Sequence, residues 1–225
     1  MLKIYNQGNY VSDLQIQKVI DLMPKQIRTL KVKIYITTTN AVFKQNKFRP
    51  RFKKMIRSFL EGECEAVFYY HERVILLFED LLFEKFPKDF YWYFAYLLSH
   101  ELRHCEQGHF FRDRWDVVFK DYTDYLDEIT LGNLEELHWS EKDAYTYSYR
   151  FVANHANEIM DIFHLKTVYE FYPYDFEVDM QAVWELYKKE LNFLERISWF
   201  IDGLYQQKYQ MSVLPSPINN RLEVK

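Results

Sequence analysis

The chain of 225 residues is 48% hydrophobic and 28% charged, and its formal net charge at pH 7 is −4. These values are typical of a globular protein with one sizeable core, and they exclude a largely disordered or collagen-like chain. Because an acidic chain has no general attraction for a polyanion, the net charge argues against nucleic acid as a partner.

The first third of the chain alternates between helical and strand patterns. Residues 14–23 have apolar side chains at helical spacing, and Pro24 ends or kinks that helix. Residues 51–60 predict an amphipathic helix whose other face is basic. Alternating patterns or unbroken apolar runs predict strands at 31–36, 64–70 and 73–78.

A basic run covers residues 25–60, which contain no Asp or Glu although Lys and Arg recur throughout. Such a run could bind nucleic acid or anionic lipid. More often it is a solvated face that nearby acids neutralise, and five glutamates follow between residues 61 and 79. We favour the second interpretation.

Residues 89–107 predict a buried helix, with Pro87 just upstream and Asp89 in position to cap it. Apolar residues occupy nearly every face, which predicts burial on all sides. Gly108 is the predicted stop. Polar side chains on such a helix need partners, because an unpaired polar group away from water is costly.

Two histidines of this helix, His100 and His104, stand one turn apart, with Glu101 beside them. Imidazoles at positions i and i+4 can bind Zn²⁺ while a third ligand and a water complete the coordination. The adjacent carboxylate can then accept the proton of that water. The alternative is a pair of helix histidines satisfied by ordinary hydrogen bonds, with Glu101 on the surface.

A third ligand is predicted on a second helix, 133–163, whose inward stripe includes Glu141. A carboxylate on an apolar face is costly unless its charge is compensated, so Glu141 is the first candidate. Alternatively, the helix begins at Ser140 as N-cap with Asp143 closing a capping box, and Glu141 is a favourable first-turn acid. His109, just after the first helix, is another candidate for the third ligand.

The pentapeptide at 100–104, followed by Glu141-Lys142-Asp143-Ala144, resembles the gluzincin type of zinc metallopeptidase, in which a downstream glutamate motif completes HExxH. Minimal examples occur among the phage-immunity metallopeptidases. Two positions depart from that pattern: Tyr145 stands where an Asp or Asn usually supports a ligand, and Arg103 is charged where the family is commonly uncharged. The resemblance implies Zn²⁺ as cofactor, Glu101 as general base, and as ligands His100, His104 and Glu141.

The same resemblance implies a helix-rich α+β fold of the zincin type. A small mixed or antiparallel sheet, mainly within 31–78, would precede an active-site helix, a glutamate helix and long C-terminal helices. In that family an edge strand above the metal pairs with the substrate backbone, and 66–70 is the candidate here.

The C-terminal part is predicted to complete one domain. Residues 176–209 have the apolar stripe of one long helix or a broken pair, which we predict to be core. Residues 212–225 are predicted to be a mobile tail, so that the single catalytic domain covers 1–211.

The sequence contains no recognisable export or membrane signal. Residues 1–6 lack the apolar stretch of a signal peptide, and the longest apolar run, 90–98, is too short to cross a bilayer. Cys64 and Cys105 form no CxxC pair, which excludes a zinc ribbon and favours reduced thiols. We therefore predict a cytoplasmic protein without a transmembrane segment.

These interpretations predict a zinc-dependent metallopeptidase, a hydrolase that cleaves peptide bonds of a protein or peptide substrate. Glu101 is the predicted base, and Tyr145 is the first candidate to stabilise the oxyanion, ahead of His138 and His155. Two alternatives remain open. One is a non-catalytic zincin-like binding or regulatory protein; the other is a di-iron carboxylate protein that uses the E-x-x-H units at 101–104 and 135–138.

Overall fold

The computed structural model describes residues 2–44, 50–61, 64–111, 138–169, 176–179 and 211–216, with separate positions between 181 and 197. The strands are β1 (Lys3–Asn6), β2 (Lys33–Thr37), β3 (Ala66–Tyr69) and β4 (Val74–Phe78). The helices are α1 (Asp13–Asp21), α2 (Lys25–Arg28), α3 (Thr39–Lys44), α4 (Pro50–Glu61), α5 (Glu79–Lys85), α6 (Phe90–Phe110), α7 (Trp139–Asn154) and α8 (Ala156–Phe163). Within these ranges no helix has the length and apolar character that a membrane span requires.

The four strands form one mixed sheet in the order β1-β2-β4-β3. β1 pairs with β2 and β2 with β4 in parallel, whereas β3 pairs antiparallel with β4. All of β4 is buried, as expected for an unbroken apolar run that lies between two other strands. The helix-rich α+β class with a small mixed sheet is therefore confirmed.

Successive side chains of a strand point to opposite sides of the sheet. Helices cover both sides, so each strand contributes side chains to two cores. On one side, Ile34 and Ile75 pack in the larger core with Leu98 and other residues of α6. On the other side, Leu76 packs in a smaller core with Ile56 of α4. The sheet is thus a middle layer between helices, and α6 packs on the side that has the larger core.

β1 is the strand that the sequence does not predict. Its four residues alternate between exposed and half-buried positions, so they carry little of the apolar pattern that identifies a strand. The predictions at 31–36, 64–70 and 73–78 correspond to β2, β3 and β4.

Two helices have different ends from those predicted. α6 continues through Gly108, which is buried inside the helix, and Asp89 takes the N-cap position without a capping hydrogen bond from its side chain. The predicted helix 133–163 is divided into α7 and α8, which part at His155, where φ is −117° and ψ is 24°. Positions 133–137 lie outside the described residues.

The predicted helix 176–209 lies mostly outside the described residues. The positions described between 181 and 197 are helical. However, Leu194 and Ile197, which belong to the predicted core stripe, are 74% and 41% exposed. The prediction that they are core is wrong.

The start of the predicted mobile tail, 212–225, lies against the protein. Ser212 is buried, and the carbonyl groups of Leu214 and Pro215 accept hydrogen bonds from Arg150 and Asn154 of α7. Residues 212–215 thus contact the rest of the protein within the segment predicted to be a tail, while 217–225 lie outside the described residues.

A buried carboxylate, Glu79, holds the loop between β1 and α1. It accepts backbone hydrogen bonds from Asn9 at 2.7 Å and from Tyr10 and Val11 at 3.2 Å. Gly8 lies so close that a Cβ at this position would overlap the carboxylate. Burial raises the pKa of Glu79, and the three N–H groups oppose that rise.

Candidate metal centre

Two packed helices, α6 and α7, bring the three predicted ligands together. His100 and His104 lie one turn apart on α6, and Glu141 lies in the first turn of α7. The Nε2 atoms of the two histidines are 3.1 Å apart. The Glu141 carboxylate places Oε2 3.2 Å from Nε2 of His100 and Oε1 3.1 Å from Nε2 of His104. These residues could hold a metal ion.

The spacing of these donor atoms suits a small cation. With metal–ligand distances of about 2.0–2.2 Å, tetrahedral coordination separates neighbouring donor atoms by roughly 3.3–3.6 Å. The observed separations of 3.1 to 3.2 Å are close to that range. A shift of a few tenths of an ångström would therefore open the group for an ion.

Gln107 fixes the orientation and tautomer of His104. Its amide nitrogen donates to the Ser140 carbonyl at 2.8 Å and to Asp143 Oδ2 at 2.7 Å. Since a carbonyl only accepts, the amide oxygen must be the atom that faces His104 Nδ1 at 2.9 Å. Nδ1 then donates, and a neutral His104 presents a bare Nε2 lone pair to Glu141 and His100.

The electrostatics of the centre favour positive charge between the ligands. Burial by itself would lower the pKa of His104, but the Glu141 carboxylate and its hydrogen bond raise that pKa to about 9. Burial would raise the pKa of Glu141, yet the two histidines hold it well below its usual range. A lone pair facing a carboxylate repels it, so either a proton on His104 or a metal cation must compensate.

Tyr145 lies beside His100, since their ring centroids are 4.6 Å apart. Nδ1 of His100 is buried and has no hydrogen-bond partner among the described residues. The Nε2 atom of His100, and not Nδ1, faces His104 and Glu141. The ring of Tyr145, the predicted oxyanion donor, thus packs against one of the candidate ligands.

Glu101 is 6% exposed and lies beside both histidine ligands. Burial raises the pKa of its carboxyl, while His100, His104 and a hydrogen bond from the backbone of Phe68 oppose the rise. The prediction that Glu101 could be a surface residue is wrong. The buried carboxyl of Glu101 therefore lies close to all three candidate ligands, since its pKa is affected by His100, His104 and Glu141.

Among the described strands, β3 lies at one edge of the sheet, and it packs against α6. The hydrogen bond from Phe78 N to Glu65 O, 2.8 Å long, fixes which backbone groups face β4. Because antiparallel partners alternate, the N–H and C=O groups of Ala66 and Phe68 point away from β4. The outward N–H of Phe68 is the group that reaches Glu101. Residues of the predicted substrate strand, 66–70, therefore adjoin the candidate base.

The structure shows why a charged residue, Arg103, is tolerated at a position where the family is commonly uncharged: its charge is paired. It is 5% exposed and forms a bidentate ion pair with Asp143, with Nε–Oδ2 and Nη2–Oδ1 distances of 2.7 and 2.8 Å. Its guanidinium carbon also lies 4.8 Å from the ring centroid of Tyr147. Asp143 therefore joins α7 to α6 and does not close a capping box at Ser140.

The other histidines considered from the sequence lie elsewhere. His109 is exposed and five positions beyond His104 in a continuous helix, so it faces another direction. His138 is the N-cap of α7, and its side chain accepts from Ser140 N. His155 lies at the far end of α7 and packs on Phe151. Glu135, needed for the di-iron alternative, lies outside the described residues.

Sequence reasoning did not identify Gln107 and Asp143 as supports of the centre. Gln107 lies three positions after His104 on the same face of α6, which is the one available clue. The contribution of Asp143 depends on how α7 docks against α6, and single-sequence periodicity does not determine docking.

Comparison with known proteins gives no relative: no protein-family model, no curated protein and no solved structure matches this chain.

Proposed function

We propose that this protein is a zinc-dependent peptidase of the gluzincin type. The observation that carries the proposal is the convergence of two Nε2 atoms and one carboxylate, 3.1 to 3.2 Å apart, beside the buried carboxyl of Glu101. Two imidazoles and a carboxylate are a common set of protein ligands for catalytic zinc, with a fourth position left for water or substrate.

Zinc suits the donor set better than harder cations do. Mg²⁺ and Ca²⁺ prefer sites made mainly of oxygen atoms, whereas two of the three donors here are imidazole nitrogens. Gln107 supports this assignment, because a metal-bound histidine usually donates its other ring N–H to an acceptor.

The chain's own residues would then divide the reaction between them. Bound zinc would supply Lewis acidity and lower the pKa of a water molecule to about 7. Glu101 would accept a proton from that water and pass it to the leaving amine; its raised pKa suits a group that must first take and then release a proton. Tyr145, beside His100, is the proposed donor to the oxyanion.

The substrate would be a peptide in an extended conformation. The backbone groups of Ala66 that face away from β4 could pair with a substrate strand, in the manner of β-augmentation. That pairing would bring a peptide bond alongside Glu101, because the neighbouring Phe68 N–H already reaches this carboxyl.

Elemental analysis and two variants test the proposal. We expect one zinc per chain in the purified protein, loss of that zinc in His100→Ala, and retention of zinc without peptide hydrolysis in Glu101→Gln. Absence of stoichiometric zinc from the zinc-treated wild type contradicts the proposal. Full hydrolysis by Glu101→Gln removes Glu101 from the mechanism.

A second candidate function is supported by the low exposure of the ligands, since the side chains of His100, His104 and Glu141 are 8%, 7% and 13% exposed. A closed site of this kind could have a purely structural role in a binding protein. In that case the zinc-loaded protein would hydrolyse no peptide from a diverse library, and removing zinc would unfold it.

A further inference from the structure

A buried ion cluster adjoins the metal centre, and residues 211–216, here called the C-terminal strap, close it. Glu106 of α6 is 3% exposed. Its Oε2 accepts a 2.6 Å hydrogen bond from Nη1 of Arg103. Its Oε1 accepts from the backbone N–H of Ser212 at 2.7 Å and from the Ser212 hydroxyl at 2.6 Å. The Ser212 carbonyl accepts from Nη1 of Arg103 at 2.7 Å.

The buried charges of this cluster depend on these hydrogen bonds. The cluster contains one guanidinium and two carboxylates, Arg103, Asp143 and Glu106, and none is more than 8% exposed. Each buried oxygen therefore needs its donors, because water is not available to replace them. Ser212 supplies two donors to Glu106 Oε1, its backbone N–H and its hydroxyl, and its carbonyl accepts from the guanidinium of Arg103.

The same cluster continues to a metal ligand. Arg103 holds both oxygens of Asp143. Asp143 accepts from the amide nitrogen of Gln107, and the amide oxygen of Gln107 faces Nδ1 of His104. An unbroken series of buried hydrogen bonds thus joins Ser212 to the imidazole of His104.

We propose that the C-terminal strap is a positioning element of the metal centre. Ser212 fixes Glu106 and Arg103, these orient Asp143 and Gln107, and Gln107 holds the ring of His104 with Nε2 toward His100 and Glu141. The inference rests on the metal-binding part of the proposed function and does not depend on peptide hydrolysis.

Zinc affinity of the full chain, measured by competition with a chromophoric chelator, tests this inference. Outer ligand supports are typically worth about 10–100-fold in metal affinity, so we expect a loss in this range for Gln107→Leu. Ser212→Ala keeps the backbone N–H and removes the hydroxyl, and it lies further along the series, so we expect a loss of about threefold to tenfold. Ser216→Ala, an exposed serine of the same strap, is the matched control and should bind like the wild type.

A double-mutant cycle separates positioning from general destabilisation. If the strap acts through Gln107, Ser212→Ala should cause no further loss of affinity in the Gln107→Leu background. The visible bands of the Co²⁺-loaded protein should also change in Ser212→Ala and stay unchanged in Ser216→Ala, because they report the geometry of the metal ligands.

Each outcome decides between the two proposals. A wild-type protein that binds zinc, with Ser212→Ala indistinguishable from it in affinity and Co²⁺ spectrum, overturns the role of the strap alone. Equal losses from Ser212→Ala in both backgrounds assign the effect to stability and overturn it as well. A wild type that binds no zinc removes the proposed function and this inference with it.

Discussion

Glu79 and Glu101 are both buried, at 0% and 6% exposure, but their surroundings differ. Glu79 accepts from three backbone N–H groups of one loop. Glu101 has one backbone donor, Phe68, and otherwise faces the imidazoles of His100 and His104. The first carboxylate is satisfied by the fold itself. The second lies beside candidate ligands that need either a proton on His104 or a metal cation to compensate Glu141.

The difference shows that burial of an acid does not by itself identify a functional site. A carboxylate that is surrounded by backbone donors stabilises local structure, because the loop depends on it and it depends on the loop. A carboxylate beside a group of potential metal ligands is placed for chemistry. From this contrast we predict that Glu79 contributes to stability and that Glu101 contributes to the proposed activity.

The largest expected effect is on hydrolysis in Glu101→Gln. Removal of a general base should lower kcat by about 10²–10⁴-fold, while the zinc content and the free energy of unfolding change little, since the variant is isosteric. Glu158→Gln, on the exposed face of α8, is the control. A Glu101→Gln variant that unfolds readily but keeps its specific activity would place Glu101 in the same structural class as Glu79.

The next effect is on the stability of the metal-free protein between pH 6.5 and 9. The pKa of His104 is raised from 6.5 to about 9 in the folded state. The stabilisation from this proton is therefore fully present below pH 6.5 and is lost as the pH rises through about 9. We expect the free energy of unfolding after chelator treatment to fall by up to about 3 kcal/mol across this window.

Denaturant unfolding at several pH values measures that decrease. His104→Ala, treated in the same way, should show a much flatter profile. Zinc should bind more tightly as the pH rises toward 9, because it displaces the His104 proton. A wild-type profile that is flat over the window contradicts the raised pKa.

A smaller change, of about 2 kcal/mol in the free energy of unfolding, is expected for Glu79→Gln. The amide would turn an N–H₂ group toward at least one of the three backbone donors and leave it without an acceptor. Glu84→Gln, exposed on the same helix, should remain within about 0.5 kcal/mol of the wild type. Zinc affinity should be the same in the wild type, Glu79→Gln and Glu84→Gln. A selective loss of zinc affinity in Glu79→Gln would contradict a purely structural role for Glu79.

The smallest effect is expected for Gly8→Ala, which tests the same carboxylate from the side of the loop. The added methyl group would overlap the carboxylate of Glu79, which three hydrogen bonds hold in place. We expect a loss of about 1 kcal/mol or somewhat more, within the usual range for overpacking. Thermal unfolding measures it, and an unchanged melting temperature would show that Glu79 can move aside without cost.

Local pattern was sufficient to predict much of the fold. The unbroken apolar run at β4, the alternation at β2 and the apolar surface of α6 each bury side chains in the manner that their periodicity predicts. β1 could not be predicted from local pattern, because its pairing with β2, thirty positions away, stabilises it more than its own composition does.

The candidate site was predictable where residues lie close together in the sequence. His100 and His104 are one helical turn apart, so their shared face follows from helix geometry, and Glu141 was inferred from the apolar stripe around it. The support by Gln107, Asp143 and Ser212 requires two helices and a distant segment to meet. Such contacts depend on tertiary packing, which one sequence does not reveal.

The order of α6 and α7 along the chain has a consequence for biosynthesis. Contacts between distant parts of a chain form slowly, since long loops must close first. On the ribosome, His100 and His104 emerge before α7 and therefore before the carboxylate that completes their group. A nascent chain that has not reached Glu141 exposes two imidazoles without their acid, so under the proposed function stable binding of a metal would have to wait until translation has passed Glu141.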